Sequence, residues 1–345
     1  VLGISVYSQK LDSQLIDFRG DSLFTPASTL KILTTAAAVD EMDLDWRPET
    51  KVTLAGIQTK KTFEGEIKLI GGGDPNFSGR YFSHALKSLE PLVKQITDIG
   101  LDTIKGEIIP DDSFFKGPLR PPTWEKRFYD KWYGAEISSL GFNDNCIMIR
   151  VIPGEEVGDS LVVEVLPKIE MMDIRVDATT KKGRRNRLKM DLHSDSNRVT
   201  LVGSMGVRAQ ARTYVLPVRN SPEYFKKAFI LALAESGVTY IPTTLPRDSN
   251  GSLEFMTPFV DTLSHFGIPL LSLMDEINQR SQNYHAETLL RQLGHEKYDT
   301  ASVQHGTQAI KEFIARGGFE KDTARISILD GSGLSYKNKI TPNLM

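Results

Sequence analysis

Hydrophobic and polar positions change their period several times along this chain, and each change predicts an element. Residues 2–8 and 14–18 alternate with period two around the polar turn Gln9-Lys10-Leu11-Asp12-Ser13, which predicts a hairpin. A loop over 20–27 follows. At Ser28 the pattern turns helical, with Leu30-Lys31-Ile32-Leu33 running on into Ala36-Ala37-Ala38-Val39. Lys51-Val52-Thr53-Leu54 and Glu66-Ile67-Lys68-Leu69-Ile70 read as strands, the second stopped by Gly71-Gly72-Gly73-Asp74-Pro75. A helix is predicted over 81–99 and a strand over 103–114. The aromatic, proline-rich stretch from Gly117 to Tyr133 is of a kind that lines clefts. From about 150 to 216, period-two alternation with turns at Pro153-Gly154 and Ser194-Asp195-Ser196-Asn197 predicts a small β-rich module. Helical periodicity returns at 222–236, 269–294 and 302–316, the last stopped by Gly317-Gly318. The layout is an α/β framework at both ends of the chain with a long insertion between them.

Composition narrows this picture only slightly. The 345 residues suffice for two or three domains, and 40% hydrophobic with 25% charged residues is ordinary for a globular chain. A net charge of -2 gives no ground for a nucleic-acid or polyanion binder overall. The local exception is Lys181-Lys182-Gly183-Arg184-Arg185-Asn186-Arg187, which reads first as a solvated hairpin tip and second as a contact for an anionic polymer or surface. No apolar stretch approaches the ~18 residues needed to span a bilayer. The single cysteine, Cys146, excludes an internal disulfide and a cysteine-based zinc cluster, and its alternating surroundings predict a buried strand position. The first residues already read as strand, so native residues are expected to precede them.

Candidate chemistry begins at Ser28-Thr29-Leu30-Lys31. Residues three apart share a helix face, which sets Ser28 beside Lys31. A serine hydroxyl needs a base to become a nucleophile, and a lysine can be that base when its pKa is lowered. A helix N-terminus disfavours the protonated ammonium. The competing reading makes Ser28 an ordinary helix cap. A second polar segment, Ser281-Gln282-Asn283, interrupts two apolar helical stretches, where polar groups are costly unless hydrogen-bonded or facing a cleft. The triple glycine lacks the Lys-Ser/Thr of a phosphate loop. His285 and His295, with Glu287 between them, suggest zinc ligands, but ten positions leave them about 80° off one helix face at roughly 100° per residue. No H-E-x-x-H pattern supports them.

Ser-x-x-Lys followed by Ser-x-Asn resembles the signature of the penicillin-recognising serine enzymes. Asp330-Gly331-Ser332-Gly333-Leu334-Ser335, with Ile340-Thr341-Pro342 after it, is similar to one branch, the class C low-molecular-mass penicillin-binding proteins. Gly72-Gly73-Asp74-Pro75, the stretch from Ser139 to Asn145 and Asn220-Ser221-Pro222 extend the likeness over the whole chain. The long span from Ser28 to Ser281 matches that family's inserted domains. The resemblance implies an α/β (α+β) fold: a transpeptidase-like domain, with an antiparallel sheet flanked by helices, from 1–48 and 250–345. An inserted α/β domain is expected from 49–150 and 216–249, itself carrying a small β-rich domain at 151–215.

The implied activity is that of a serine D-Ala-D-Ala carboxypeptidase or endopeptidase acting on peptidoglycan outside the cytoplasm, in the periplasm or at the cell surface. Ser28 would be the nucleophile, Lys31 its base, Ser281 the proton relay, and Asn283 the binder of the substrate's acyl-side amide. Asp130 and the aromatics Trp124, Phe128 and Trp132 are candidate contacts for the diamino-acid side chain. Peptidoglycan muropeptides are the implied partners and β-lactams the covalent inhibitors; no cofactor, metal or nucleic acid is called for. Two departures stand out. Gln282 replaces the usual Asp of the second motif. The third box, Lys-Thr-Gly, is expected some tens of residues beyond Pro342, and neither Lys60-Lys61-Thr62 nor Lys337-Asn338-Lys339 substitutes for it. It is expected on a further segment or a separate C-terminal chain. The alternatives are a serine β-lactamase, which the long insertion disfavours, and a non-catalytic peptidoglycan-binding relative.

Overall fold

The computed structural model describes residues 2–193, 196–248 and 259–345. The Ser194-Asp195 part of the predicted turn and the expected boundary at 250 lie outside the described residues. The chain divides into two compact units. One comprises Val1–Pro48, Phe114–Lys126 and Ile268–Met345; the other comprises Glu49–Ser113 and Arg127–Gly267.

The first unit is mainly helical. The predicted hairpin forms from antiparallel strands Ile4–Ser8 and Ser13–Phe18. The helix predicted from Ser28 starts as a short 3-10 turn, Ala27–Thr29, and becomes α-helical over Leu30–Glu41. Its Leu30, Leu33 and Ala37 pack with Leu290, Leu293, Ile310 and Ile328. Each fully buried Leu of this kind contributes about 2 kcal/mol. Ala38 and Met42 pack on Leu270, Ile277 and Leu289 on another side. The 269–294 pattern resolves into two helices, Leu270–Gln279 and Asn283–Tyr298, because Ser281 takes a left-handed φ of 57° and reverses the chain between them. Helix Val303–Ile314 follows, capped by the Ser302 hydroxyl accepting from the His305 amide.

The second unit is built on a five-stranded mixed sheet in the order Thr239–Pro242, Thr103–Asp111, Thr62–Ile70, Glu49–Thr59, Phe259–Phe266. The strands seen at 51–54 and 66–70 are the centres of longer ones, joined antiparallel through Lys60 and Lys61. Alternate residues Val52, Leu54, Phe63, Ile67, Leu69, Ile104 and Ile108 are buried in one core with Leu92, Ile96, Phe225 and Phe229 of helices Glu90–Asp98 and Ser221–Glu235. Two three-stranded sheets complete the unit. Strand Cys146–Ile152 lies between Arg212–Pro217 and Val162–Leu166, and strand Arg198–Gly206 lies between Asp173–Lys181 and Lys189–Leu192. Cys146 is buried at the start of its strand.

Three boundaries differ from expectation. The strand Phe259–Phe266 pairs with Glu49–Thr59, so the second unit runs to Gly267 rather than ending at 249. Residues 114–126 belong to the first unit, held there by the Lys116 amide donating to the Ala301 carbonyl at 2.8 Å. Strand Cys146–Ile152 crosses the expected border at 150/151, because its partner strands lie on the far side of that border in sequence. The predicted helix 81–99 shortens to a 3-10 turn, Ala85–Leu89, and the α-helix Glu90–Asp98. His84 is extended, and Pro91 sits in the first turn, where a missing N–H costs nothing.

Candidate active site

The site is assembled in the first unit around Lys31. Pro26 and a left-handed Ala27 (φ 49°) turn the chain so that Ser28 stands at the exposed start of the helix. No side chain caps this helix, so the cap reading of Ser28 finds no support. Lys31 lies one turn on and is 1% exposed. Its Nζ donates to the Ser28 Oγ at 3.3 Å, to the Asn283 Oδ1 at 2.7 Å and to the Ser332 carbonyl at 2.7 Å. Three acceptors match the three donors of an ammonium, which fixes the amine in one place. Asn283 reaches Lys31 because it opens its helix immediately after the Ser281 reversal. Gln282, the unusual middle residue, is buried at the helix N-cap.

The Ser332 carbonyl is held by a loop organised on two buried carboxylates. Asp330 accepts through Oδ1 from the Gly333 amide (2.9 Å) and Asn338 Nδ2 (2.8 Å). Through Oδ2 it accepts from the Ser335 amide (2.7 Å) and Trp124 Nε1 (2.9 Å). Four donors satisfy its lone pairs, which offsets the cost of burying the charge. Glu287 Oε1 accepts from the amides of Gly331 and Ser332, both at 2.9 Å, and its Oε2 lies 3.4 Å from Arg291 Nη1. Gly333 has φ 79°, and a Cβ there would stand 1.8 Å from the Ala27 carbonyl. The loop and the Ser28 turn therefore meet backbone to backbone, and only glycine fits.

The electrostatics follow from this burial. Desolvation lowers the Lys31 pKa to about 8, against the pull of Glu287 and Asp330, which favour the charged form. Desolvation, then the neighbouring Asp330, raises Glu287 to about 7, opposed by Arg291 and the hydrogen bond from Ser332. Burial lowers Arg291, opposed by Glu287. Two cations and two carboxylates thus share one dry volume. The lysine is left close enough to neutrality to accept a proton.

The D-Ala-D-Ala carboxypeptidase 3 (S13) family pattern matches residues 1–345. The chain belongs to this family. Among curated relatives it is 25% identical over 352 residues to the D-alanyl-D-alanine carboxypeptidase of Actinomadura sp. (strain R39), covering 99% of this chain and 62% of that protein. It is 22% identical over 337 residues to the D-alanyl-D-alanine carboxypeptidase DacB of Haemophilus influenzae, covering 96% of this chain and 66% of that one. The chain thus spans a little under two thirds of the length of these relatives. Its fold is that of penicillin binding protein 4 (dacB) from Haemophilus influenzae, with a TM-score of 0.78 at 20% identity over 99% of this chain and 73% of that one. The family anticipated from Ser28-x-x-Lys31, Ser281-x-Asn283 and the Asp330 stretch is the family found.

Within this S13 chain, the anticipated site residues divide into groups. Ser28, Lys31 and Asn283 are brought together by direct hydrogen bonds. Ser281 is exposed two residues before Asn283. Trp124 is 4% exposed, with its indole N–H on Asp330, where it braces the loop. Phe128, Asp130 and Trp132 belong to the second unit. Phe128 is buried against Tyr133 and Arg127. Asp130 pairs with Lys131 at 3.0 Å, and Trp132 is 41% exposed on a pocket wall with Arg80 and Asp144. The suggested zinc pair dissolves. His285 is buried edge-on to Tyr284, His295 packs on Phe114, and Glu287 serves the loop amides. The motif reading missed Glu287, Arg291 and Thr34, whose hydroxyl donates to the Gly331 carbonyl at 2.8 Å. One signal was available: Asn283, Glu287 and Arg291 recur at i, i+4, i+8, a polar stripe along one helix face.

Proposed function

We propose that the protein is a serine DD-peptidase that cleaves the bond after a D-Ala residue in peptidoglycan stem peptides, through an acyl-enzyme on Ser28. The observation that carries this reading is the buried Lys31 amine, held 3.3 Å from the Ser28 hydroxyl by two other oxygens. In its neutral form Lys31 removes the Ser28 proton as Oγ attacks the D-Ala carbonyl carbon. The C–N bond then breaks, and the departing amine takes a proton that Ser281 relays from Lys31. The Ser28 ester remains. Water, deprotonated by the same base, hydrolyses it and returns the serine. The Ser28 backbone N–H supplies one oxyanion donor, of a kind worth about 3 kcal/mol in barrier. Asn283 acts through both ends of its amide. The Oδ1 orients Lys31, and the nitrogen is the donor for the substrate's acyl-side carbonyl.

The same attack on a strained lactam carbonyl leaves a covalent adduct, so β-lactams act as trapping ligands. The family's cell-wall role sets this activity outside the cytoplasm. No helix among the described residues is long and apolar enough to cross a membrane. A peptide ending in D-Ala-D-Ala should release D-Ala with the wild-type protein and not with Ser28→Ala. Equal release by the two proteins would overturn the assignment.

A further inference from the structure

Glu287 lies outside both sequence motifs, yet its carboxylate binds the two consecutive amides whose peptide segment carries the lysine's acceptor. The chain of contacts is short and continuous. Glu287 Oε1 accepts from the Gly331 and Ser332 N–H groups at 2.9 Å each. The Ser332 carbonyl accepts from Lys31 Nζ at 2.7 Å, and Lys31 Nζ reaches the Ser28 Oγ at 3.3 Å. Glu287 is wholly buried, and Arg291, one turn further along the helix and itself 1% exposed, faces its other oxygen. We propose that Glu287 is a positioning residue for Lys31: its carboxylate clamps the Gly331–Ser332 backbone so that the Ser332 carbonyl aims the lysine amine at Ser28.

The surroundings leave this role to Glu287 and its neighbours. The charged groups facing Lys31 are Glu287 from the helix Asn283–Tyr298 and Asp330 from the loop. Those facing Glu287 are Arg291 and Asp330, besides Lys31. Tyr284 of the same helix faces Arg291 as well, and neighbouring elements contribute neutral contacts among the described residues. Asn278 of the preceding helix donates to Thr35, the Phe115 ring stacks over Arg291, and helix Val303–Ile314 meets the Leu290 turn through Gly306. Asp330 is saturated by four donors that shape the loop, whereas Glu287 holds the two amides on either side of Gly331. A shift of the loop by about one ångström would take the Ser332 carbonyl out of hydrogen-bond range and release the amine.

This inference rests on the DD-peptidase reading for its catalytic consequence but not for its test. The lysine titration is read directly by NMR of protein carrying [13Cε]lysine, with Lys31→Met used to assign the resonance. In Glu287→Gln the midpoint of Lys31 should fall by about one pH unit, since removing an adjacent opposite charge disfavours the ammonium. The acid limb of Ser28 acylation by a β-lactam should move down in parallel, with the plateau rate at least roughly 10-fold lower. Glu287→Asp, which keeps the charge and retracts the carboxylate, should preserve the midpoint and lose rate. An unchanged Lys31 midpoint together with an unchanged plateau in folded Glu287→Gln overturns the proposal. Absence of acylation in the wild type would instead refute the DD-peptidase reading and leave the NMR result standing. Should Glu287→Gln fail to fold, Thr34→Val removes the hydroxyl on the Gly331 carbonyl and loosens the same clamp from the opposite side. Slower acylation at an unchanged Lys31 midpoint is then expected, and wild-type acylation overturns the clamp.

Discussion

The two units satisfy their buried carboxylates in different ways. In the first, Asp330 receives four hydrogen bonds and Glu287 faces two amides and a guanidinium, all inside a volume that also holds Lys31. In the second, Asp74 is equally buried, yet its Oδ1 takes both available bonds, from the amide and side chain of Asn76. Its Oδ2 has no hydrogen-bond partner among the described residues. His265 Nε2 stands 3.8 Å away, beyond hydrogen-bond range, and burial lowers its own pKa. Desolvation, outweighing the bonds from Asn76, raises Asp74 to about 7. Desolvation raises Glu287 as far, to about 7. The two sites differ in how their oxygens are satisfied: two backbone amides and a guanidinium face Glu287, whereas Asn76 serves Asp74 among the described residues. The first arrangement holds a reactive amine; the second is a liability that a proton relieves.

The largest effect should come from removing the cation at the centre of the first cluster. Lys31→Met should slow acylation of Ser28 about 10³-fold, within the range typical for loss of a general base. Stopped-flow or gel-based labelling with a fluorescent penicillin measures this. In the wild type the acylation rate should climb as pH rises through about 8, where Lys31 loses its proton. A flat profile across that pH would contradict the base assignment.

Next comes the scaffold. Asp330→Ala strands the amides of Gly333 and Ser335, the Asn338 amide and the Trp124 indole, at a cost of about 4 kcal/mol. Denaturant titration should show that loss. A cost below about 1 kcal/mol would mean that the loop is held by other contacts.

The smallest effect sharpens the contrast with Asp74. Its folded pKa lies above the unfolded value, so the folded state keeps a proton that the unfolded state releases between about pH 4 and 7. Stability should therefore fall as pH rises across that window and level off above it. Asp74→Asn should remove this slope and stabilise the protein by roughly 2 kcal/mol above the window, a value discounted from about 1.36 kcal/mol per pKa unit for local relaxation. An identical slope in wild type and variant would show that Asp74 is ionised in the fold.

Sequence reasoning reaches what is local and what is patterned. Ser28 and Lys31 are three residues apart on one helix, so their meeting needs only helical geometry. The strands around Val52 and Ile67 are visible in their alternation, and the Ser281 segment in its polarity between apolar runs. What escapes depends on contacts between distant segments. Glu287 and Ser332 are far apart in sequence, and nothing in either local pattern shows that a carboxylate will meet two backbone amides. Trp124 reads as a cleft aromatic because its stretch is rich in rings, and nothing local shows that segment 114–126 belongs to the first unit with the indole N–H on Asp330. The Phe259–Phe266 strand is misplaced by sequence alone for the same reason. Its partner strand begins at Glu49, across the whole insertion.

The central claim, that Ser28 is an acylated nucleophile served by a buried lysine, is tested most directly by locating the adduct. The protein is incubated with a penicillin, digested, and analysed by peptide mass spectrometry at several pH values. A single penicilloyl adduct on the peptide containing Ser28, absent in Ser28→Ala and forming faster as pH rises through about 8, is the predicted result. An adduct on another residue, or none on the wild-type protein, would contradict it.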